Sequence, residues 1–372
     1  MVKNGVTMRI QNISNKEMRD LNPLIITRLL ETLEIYVIRR NNYRVIEELE
    51  LIFAKKLLLC TKIEHKLKGL EELNKSIKKV EYTYGKLPPF DKSEPDKKVH
   101  WLTYDYLVNW IIDNEIFDVI FIDSVHPEMI SRSNRVVSIL AKNDRLILED
   151  LEIIWNNTQE VHEDTRRATL DMIHEISVIF SRTSLQFIFK KINEIDNSNY
   201  DVTLIKFLEK YIISAMGNSH FQNLNSTGNI FKDSINWIQN KKGNKGAQKF
   251  FNLDKFWDIA NDENVTDTEI KQSAMDSLIS IFDSVPCPIN YKIQYLNLSV
   301  NNIISEDNFV ENIVIFQKIL SKFRHYYTED IEQLTKIDNS VGGFISMVIY
   351  KLQEVVSSQV SSNLSYCRSK RI

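Results

Sequence analysis

Glycine, proline and cysteine are scarce in this sequence of 372 residues, which contains 9 Gly, 7 Pro and 3 Cys. Because tight turns and strand connections use glycine and proline, their scarcity favours helices joined by short links. Cys60, Cys287 and Cys367 are odd in number and far apart in sequence. They predict no disulfide framework and fit a reducing compartment, so we expect a cytoplasmic protein with access to the nucleus.

Long apolar runs and a large net charge are also missing. The most apolar run, at residues 116–122, is far shorter than the roughly 20 residues that span a bilayer. The N-terminus lacks the apolar core of a signal peptide. The net charge of −3 gives no reason to expect a nucleic-acid surface. We therefore expect no membrane insertion and no nucleic-acid partner.

Helical periodicity is pronounced in the segment 148–180. Leu151, Ile154 and Trp155 fall on one helical face, and Asp164 follows a polar link as the predicted N-cap of a second helix. Two helices joined by a short link pack antiparallel, and because the pair cannot bury its apolar faces alone, it needs neighbours stacked beside it. The stripe of the second helix contains Leu170, Ile173, Ile176 and Phe180.

The segment 251–282 has the same arrangement, which indicates a helical repeat. Leu253 and Trp257 begin it, four residues apart like the leucine and tryptophan of the first copy. An acidic link follows, and Thr266 with Glu269 predicts a capping box at the start of the next helix. The apolar face of that helix contains Ile270, Ala274, Leu278 and Ile281.

Composition divides the chain into five parts. Residues 1–20 are polar and predicted to be disordered, and residues 21–83 are predicted to form a separate N-terminal helical hairpin or hairpins. Residues 84–98, with three prolines and many charges, are the predicted linker. An armadillo-like helical-repeat domain follows over residues 99–360, and a polar tail over residues 361–372.

Three segments of the repeat domain have predictions of their own. Residues 116–123 have the Ile, Val and Phe content of a strand, but we predict a short buried helix because no partner strand is visible nearby. Residues 218–246 predict a long loop. The most regular helical stripe of the chain contains Phe309, Ile313, Phe316, Leu320 and Phe323.

No group of residues predicts a catalytic, metal or cofactor site. His162–Arg167 is best explained as a capped link, since it lacks the second histidine of a zinc protease. Asp123–His126 holds Asp, Ser and His as neighbours, whereas the members of a catalytic triad converge from distant positions. Gly243–Gly246 lacks the spacing of a phosphate loop. Cys60 is a predicted core thiol, and Cys287, although expected to be more exposed, has no activating histidine.

Several short motifs, most of them with a tryptophan, occur in a fixed order along the chain. They are His100-Trp101-Leu102-Thr103, Trp110-Ile111 with Asn114, Asp123-Ser124-x-His126, Leu148-x-Asp150-Leu151-x-x-Ile154-Trp155 and Leu253-x-x-Phe256-Trp257-x-x-Ala260. In this order and spacing, about residues 100–305 resemble the N-terminal helical region of the giant fat-facets-type ubiquitin-specific proteases.

The resemblance implies an all-α, right-handed superhelix of the armadillo/HEAT-like type. It also implies that catalysis in such a protein belongs to a papain-like domain with a cysteine box and a distal histidine box. None of Cys60, Cys287 and Cys367 lies in such a box, so no catalytic residue and no cofactor is carried over. The chain is then a fragment of a longer deubiquitinase or a stand-alone scaffold. Either would bind protein partners or substrates in the ubiquitin deconjugation pathway.

Two other functions remain open at this point. The chain is a generic armadillo-type adaptor outside ubiquitin biology, or it is a hydrolase with an unrecognised site. In the second case Cys287 is the thiol whose replacement by alanine tests the idea.

Overall fold

The computed structural model describes residues 12–38, 43–85, 101–123, 125–159, 161–218, 253–262, 264–284, 287, 289–305 and 309–322. Helices make up nearly all of these ranges, and no strand occurs within them. The predicted all-α fold is therefore confirmed. The chain divides into two compact units, unit 1 with residues 1–195 and 217–226, and unit 2 with residues 196–216 and 227–372.

Unit 1 is a series of helices joined by short links. A 3-10 turn at Ser177–Ile179 follows the longest of its later helices. Its α-helices are α1 (Asn15–Asp20), α2 (Pro23–Ile38), α3 (Tyr43–Leu58), α4 (Ile63–Gly85), α5 (Tyr104–Asp113), α6 (Ile116–Phe121), α7 (Pro127–Arg132), α8 (Asn134–Lys142), α9 (Leu148–Asn156), α10 (Glu163–Ile176) and α11 (Arg182–Asn193).

The helices of unit 1 stack side by side. Helices α7 and α8 pack between α4 on one side and α10 on the other, while α3 contacts α6 and α9 contacts α11. The main packing partner of α10 is α7. The sequence pattern had predicted α9 as its partner. Stacking therefore buries the apolar stripes that each helical pair leaves open.

Residues 12–20 are folded, so the prediction of disorder over residues 1–20 is wrong for this part. The Ser14 side chain accepts from the Glu17 N–H, and the Glu17 carboxylate accepts from the Ser14 N–H, which makes a capping box at the start of α1. Ile13 and Met18 are buried against a cluster that includes Phe53. Residues 1–11 lie outside the described ranges.

Helices α3 and α4 are not a separate hairpin, because they belong to the same compact unit as the helices after the predicted linker. The buried carboxylate of Glu47 accepts from the Leu102 N–H at 2.8 Å. Glu81 pairs with Arg135 at 2.7 Å and with Lys142 at 3.0 Å. Of the predicted linker 84–98, the structure describes only the last two residues of α4.

Two predictions for unit 1 are confirmed by burial. Residues 116–121 form the short helix α6, and Ile116, Phe117, Val119, Ile120 and Phe121 are all buried in it. In the segment 148–180, the seven residues of the two predicted apolar stripes are buried, although Phe180 follows the 3-10 turn and lies outside α10.

Unit 2 contains two helical pairs that follow a helix of 16 residues. Its helices are α12 (Val202–Gly217), α13 (Asp254–Asn261), α14 (Thr268–Asp283), α15 (Ile289–Ser305) and α16 (Phe309–Leu320). Helix α13 packs on α14, α15 packs on α16, and α14 also contacts α16. Tyr295 is the centre of this core: its ring lies 5.8 Å from Trp257 and 5.6 Å from Phe282, and its hydroxyl donates to Asp254 at 2.7 Å.

The predicted stripe of α16 is shifted by one position. Asn312, Ile315 and Ile319 are the buried residues, whereas Ile313 and Phe316 of the predicted stripe are only half-buried. The helix is rotated relative to the prediction because both α14 and α15 pack against it. Phe323, the side chain of Phe309, and residues 219–246 of the predicted loop lie outside the described ranges.

Candidate interaction surface

The histidines singled out by the sequence are helix caps. His126 is the N-cap of α7, where its Nδ1 accepts from the Glu128 N–H at 3.2 Å. His162 is the N-cap of α10, where its Nδ1 accepts from the Asp164 N–H at 3.3 Å. Asp164 was predicted to be that cap, but it lies two residues after His162 and is itself the residue whose N–H is capped. Both histidines therefore have a structural role in the described structure.

The capping box predicted at Thr266 and Glu269 is also replaced by a simpler cap. Asp267 is the N-cap of α14, and its carboxylate accepts from the Glu269 N–H at 2.8 Å. An aspartate competes well for this position because its short side chain reaches the second N–H of the helix. The sequence therefore located the helix start within one residue but assigned the wrong side chain.

The two described cysteines are buried thiols. Cys60 is in the core, as predicted, and burial raises its pKa. Cys287 was expected to be the more exposed cysteine, but it is buried as well, and burial raises its pKa to about 12. A nucleophilic cysteine needs its thiolate form, which this environment disfavours. Cys367 and residues 243–246 lie outside the described ranges.

The described residues hold no group of three or more His, Cys, Asp and Glu side chains arranged to bind a metal ion. Within the same ranges, none of the helices has both the length and the apolar content to cross a membrane.

Acidic residues are concentrated in two blocks of unit 1, a signal that the net charge of the whole chain hides. Residues 101–131 contain six acidic residues, residues 146–165 contain another six, and neither block contains a lysine or an arginine. The complete chain has a net charge of only −3. Sequence reasoning based on the total charge missed this feature, which a local charge count along the chain would have found.

Folding brings the two blocks together along α6 and α9. At one end the Asn157 Nδ2 donates to the carbonyl oxygen of Phe121 at 2.9 Å, which joins the last turns of the two helices. At the other end Asp118 lies close enough to Asp150 to affect its ionisation. These two interactions bring parts of α6 and α9 near each other.

The exposed side of this pair mixes carboxylates with aliphatic side chains. Ile122 is 53% exposed, Ile147 is 53% exposed and Leu148 is 43% exposed. Ile147 and Leu148 are neighbours in the sequence, and adjoining exposed apolar residues are typical of interaction sites. We call this surface the acidic face and define it by Asp118, Ile122, Asp123, Ile147, Leu148 and Glu149.

Few cations neutralise the two acidic blocks. Glu152 pairs with Lys191 of α11 at 2.6 Å, Glu128 pairs with Arg132 at 3.3 Å and Glu163 pairs with Arg167 at 3.4 Å. Among the described residues, none of the acids of the acidic face has a lysine or arginine partner. These carboxylates are therefore available to a cation from another molecule.

Asp150 lies at the edge of the acidic face and responds to its charge. Burial is the main reason that the pKa of Asp150 is raised, the N–H of Ile147 opposes this by donating to the carboxylate at 3.1 Å, and the carboxylates of Asp118 and Glu149 raise the pKa further. A cation bound nearby would relieve this repulsion.

Helical pairs stacked through equivalent neighbours, as in unit 1, define an armadillo-type helical-repeat region. Residues 44–210 match the family model described as the UBP24/USP9X/USP9Y ARM repeat. The resemblance to the ARM region of these ubiquitin-specific proteases is thereby confirmed. The match begins at α3, well before the predicted start near residue 100. It ends before the second copy at 251–282.

Curated relatives of the chain include three ubiquitin carboxyl-terminal hydrolases. The chain is 26% identical over 149 residues to the probable ubiquitin carboxyl-terminal hydrolase FAF of Drosophila melanogaster, and the alignment covers 39% of this chain and 5% of the relative. It is 28% identical over 148 residues to the human ubiquitin carboxyl-terminal hydrolase 9Y, covering 39% of this chain and 6% of the relative. It is also 27% identical over 135 residues to the mouse ubiquitin carboxyl-terminal hydrolase 9X, covering 36% and 5%. The chain thus matches a small part of the length of these relatives.

Proposed function

We propose that this chain is a non-catalytic helical-repeat scaffold of a ubiquitin-specific-protease-like protein, and that it binds protein partners or substrates in the ubiquitin deconjugation pathway. The match to the ARM repeat of such proteases supports the pathway. The exposed acidic face, which lies inside the matched residues, is the observation that supports binding.

The character of the acidic face also limits the kind of partner. Its carboxylates repel the phosphates of nucleic acids and of anionic membranes, so a protein partner is favoured. Stacked helical repeats suit this role because contacts between neighbouring repeats alone produce extended surfaces. The cytoplasm is the compartment in which we expect this interaction to take place.

Affinity capture with the full chain tests the proposal. The immobilised chain is incubated with cell extract, and bound proteins are quantified against the same chain denatured before coupling. We expect enrichment of ubiquitin-conjugated proteins or of enzymes that attach or remove ubiquitin. A captured set without such proteins would remove the pathway from the proposal.

A second measurement tests the non-catalytic part. We expect the purified chain to release no fluorophore from a ubiquitin–fluorophore conjugate. Release that disappears in Cys287→Ala would show that the chain is a hydrolase and overturn this part of the proposal.

A further inference from the structure

Residues 12–21, which contain α1, contact the rest of unit 1 through a small apolar face. Ile13 is 7% exposed and Met18 is 1% exposed, and both belong to the same buried cluster as Phe53 of α3. Leu21 packs against this cluster and is partly buried. The exposed residues of the segment are Ser14, Lys16, Glu17, Arg19 and Asp20. Two fully buried anchors therefore supply most of the apolar contact of this segment.

Basic side chains of α3 and of the link after it hold the same segment by its backbone. The Lys56 Nζ donates to the carbonyl oxygen of Ile13 at 2.7 Å, and the Lys62 Nζ donates to that of Arg19 at 2.9 Å. A third carbonyl oxygen, at the C-cap of α1, lies 3.1 Å from the Nε2 of His65. Cations at the last carbonyls of a helix also stabilise it through its dipole. Because these donors bind carbonyl oxygens, they would hold any short helix that fits the apolar anchors.

We propose that residues 12–21 are a detachable plug in a groove that binds short amphipathic helices, and that a segment of a partner protein with the same chemistry replaces them. Such a segment has two apolar anchors five residues apart, as Ile13 and Met18 are, on a short helix that begins with a capping box. The inference goes beyond the proposed scaffold function, because it concerns a site other than the acidic face and the means by which that site is opened.

The lengths of the helices explain why the plug leaves while unit 1 stays folded. Helix α1 has 6 residues, and isolated helices shorter than about 12 residues are marginal in water, so the segment is ordered only while it is docked. Helix α3 has 16 residues and also packs on α2, α4 and α6. Release of residues 12–21 therefore leaves the other neighbours of α3 in place and exposes the groove.

Binding of a fluorescein-labelled peptide of residues 12–22 to the full chain, followed by fluorescence anisotropy, tests the proposal. The plug occupies the groove in the parent chain, whereas Met18→Ser removes its most buried anchor without changing the groove. We expect the peptide to bind the Met18→Ser chain at least about tenfold more tightly than the parent chain. The same peptide with Met18→Ser should bind neither chain. Leu24→Ser, at a position that is 56% exposed, is the matched control and should behave as the parent chain does.

Variants of the groove locate the peptide on it. Two pairs of lysines are replaced in the Met18→Ser chain. Lys56→Met/Lys62→Met removes the two ammonium groups that bind carbonyl oxygens of the segment. Lys78→Met/Lys190→Met removes two exposed lysines elsewhere. We expect the first pair to weaken peptide binding about tenfold and the second to change it less than about twofold. Far-ultraviolet circular dichroism verifies that all variants are folded.

Hydrogen exchange in the parent chain tests the detachment itself. We expect the amides of α1 to exchange at least about tenfold faster than those of α3, at a rate that dilute urea does not change, because a local opening exposes little surface. Exchange as slow as in α3 and equally sensitive to urea would mean that the segment opens only when unit 1 unfolds, and the plug would be refuted.

Several binding results would also overturn the assignment. These are equal binding of the peptide to the parent and Met18→Ser chains, no binding to the Met18→Ser chain, or equal loss with the two pairs of lysine replacements. A dimer of the parent chain that Met18→Ser abolishes would make a second copy of the chain the occupant, and the proposed partner would be wrong. None of these results depends on which proteins are found by affinity capture, so this inference and the proposed function fail independently.

Discussion

The two leucine–tryptophan helices, α9 in unit 1 and α13 in unit 2, begin from similar sequences but have different surroundings. At the start of α9, Ile147 and Leu148 are exposed, and in the link after it Val161 is 37% exposed. In the link after α13, Val265 is only 5% exposed. The acids differ in the same way: Asp254 of α13 accepts from the hydroxyl of Tyr295, whereas Glu149 of α9 faces solvent.

The difference shows that a repeat pattern specifies the buried stripe of a helix but not the state of its ends and links. In unit 2 the aromatic ring of Tyr295 lies against Trp257, and its hydroxyl binds the first turn of α13. In unit 1 the corresponding end of α9 is left open, and acidic and aliphatic side chains remain accessible there. The open end is the one that lies within the residues matched to the ARM repeat.

Replacing the valines of the two links, Val161 and Val265, by aspartate should give the largest difference in the free energy of unfolding. We expect Val265→Asp to lower the free energy of unfolding by about 3 kcal/mol or more, because it places a carboxylate at a buried position. We expect Val161→Asp to change it by less than about 0.5 kcal/mol, because that side chain is already exposed to water. Urea unfolding followed by circular dichroism measures both. Equal losses in the two variants would mean that the links do not differ in burial.

Removing the amide at the end of each helix should have the next largest effect. The Asn157 Nδ2 donates to Phe121 of a neighbouring helix, whereas the Asn261 Nδ2 donates to Trp257 of its own helix at 2.7 Å. Asn157→Ala removes a buried hydrogen bond and should cost about 1–3 kcal/mol.

Asn261→Ala should cost less than about 1 kcal/mol, because its partner is nearer to solvent. The same urea titrations measure this pair. A larger loss for Asn261→Ala would contradict the view that α9 is fixed through α6.

The N-caps of the helices that follow the two links, His162 and Asp267, should differ less in their contribution to stability. Asp267→Ala should cost about 1 kcal/mol, the usual value for loss of an aspartate cap. His162→Ala should cost about half of this or less, because the contact at 3.3 Å is longer than the 2.8 Å contact of Asp267. Thermal unfolding of the two variants beside the parent chain is the measurement, and a larger effect at His162 would refute the ranking.

Neutralising the acidic face should have the smallest effect, and it should be stabilising. Asp118→Asn removes a like charge near Asp150 and should raise the free energy of unfolding by about 0.5 kcal/mol or less. The raised pKa of Asp150 means that its folded form holds a proton more firmly than the unfolded chain does. Its contribution to stability is therefore present below the ordinary aspartate pKa and is lost as the pH rises through the raised value.

The pH dependence of stability in Asp118→Asn gives a second test of the interaction between Asp118 and Asp150. We expect Asp118→Asn to lose less stability than the parent chain as the pH rises above the ordinary aspartate pKa of about 4, because the pKa of Asp150 falls toward its ordinary value. Urea midpoints across this range report the change. An unchanged pH profile would mean that Asp118 and Asp150 do not interact.

Much of the fold was predictable because the spacing of apolar residues over one or two turns identifies the buried face of a helix. Leu151, Ile154 and Trp155 were placed in the core by their spacing alone, and the short helix α6 was predicted against a strand-like composition. The wrong predictions concern features that depend on another part of the structure, such as a neighbouring helix or the preceding link. The rotation of α16 depends on two packed neighbours, and the choice of Asp267 as a cap depends on where the chain enters α14.

The candidate surface was harder to predict than the fold. Its acids are visible in the sequence as two blocks without lysine or arginine, but 14 residues separate the blocks, and the sum of charges over the chain conceals them. The contact between Asn157 and Phe121 and the repulsion between Asp118 and Asp150 show that the two blocks come near each other.

The sequence by itself determined that this protein is all helical, that its helices depend on neighbours, and that it resembles the ARM region of ubiquitin-specific proteases. These properties follow from residue spacing within a turn or two, which is a local matter. The tertiary structure decided which link valine is covered, that Cys287 is buried and which carboxylates come near each other. Those outcomes depend on the stacking of helices that are distant in sequence, and a one-dimensional pattern does not specify that geometry.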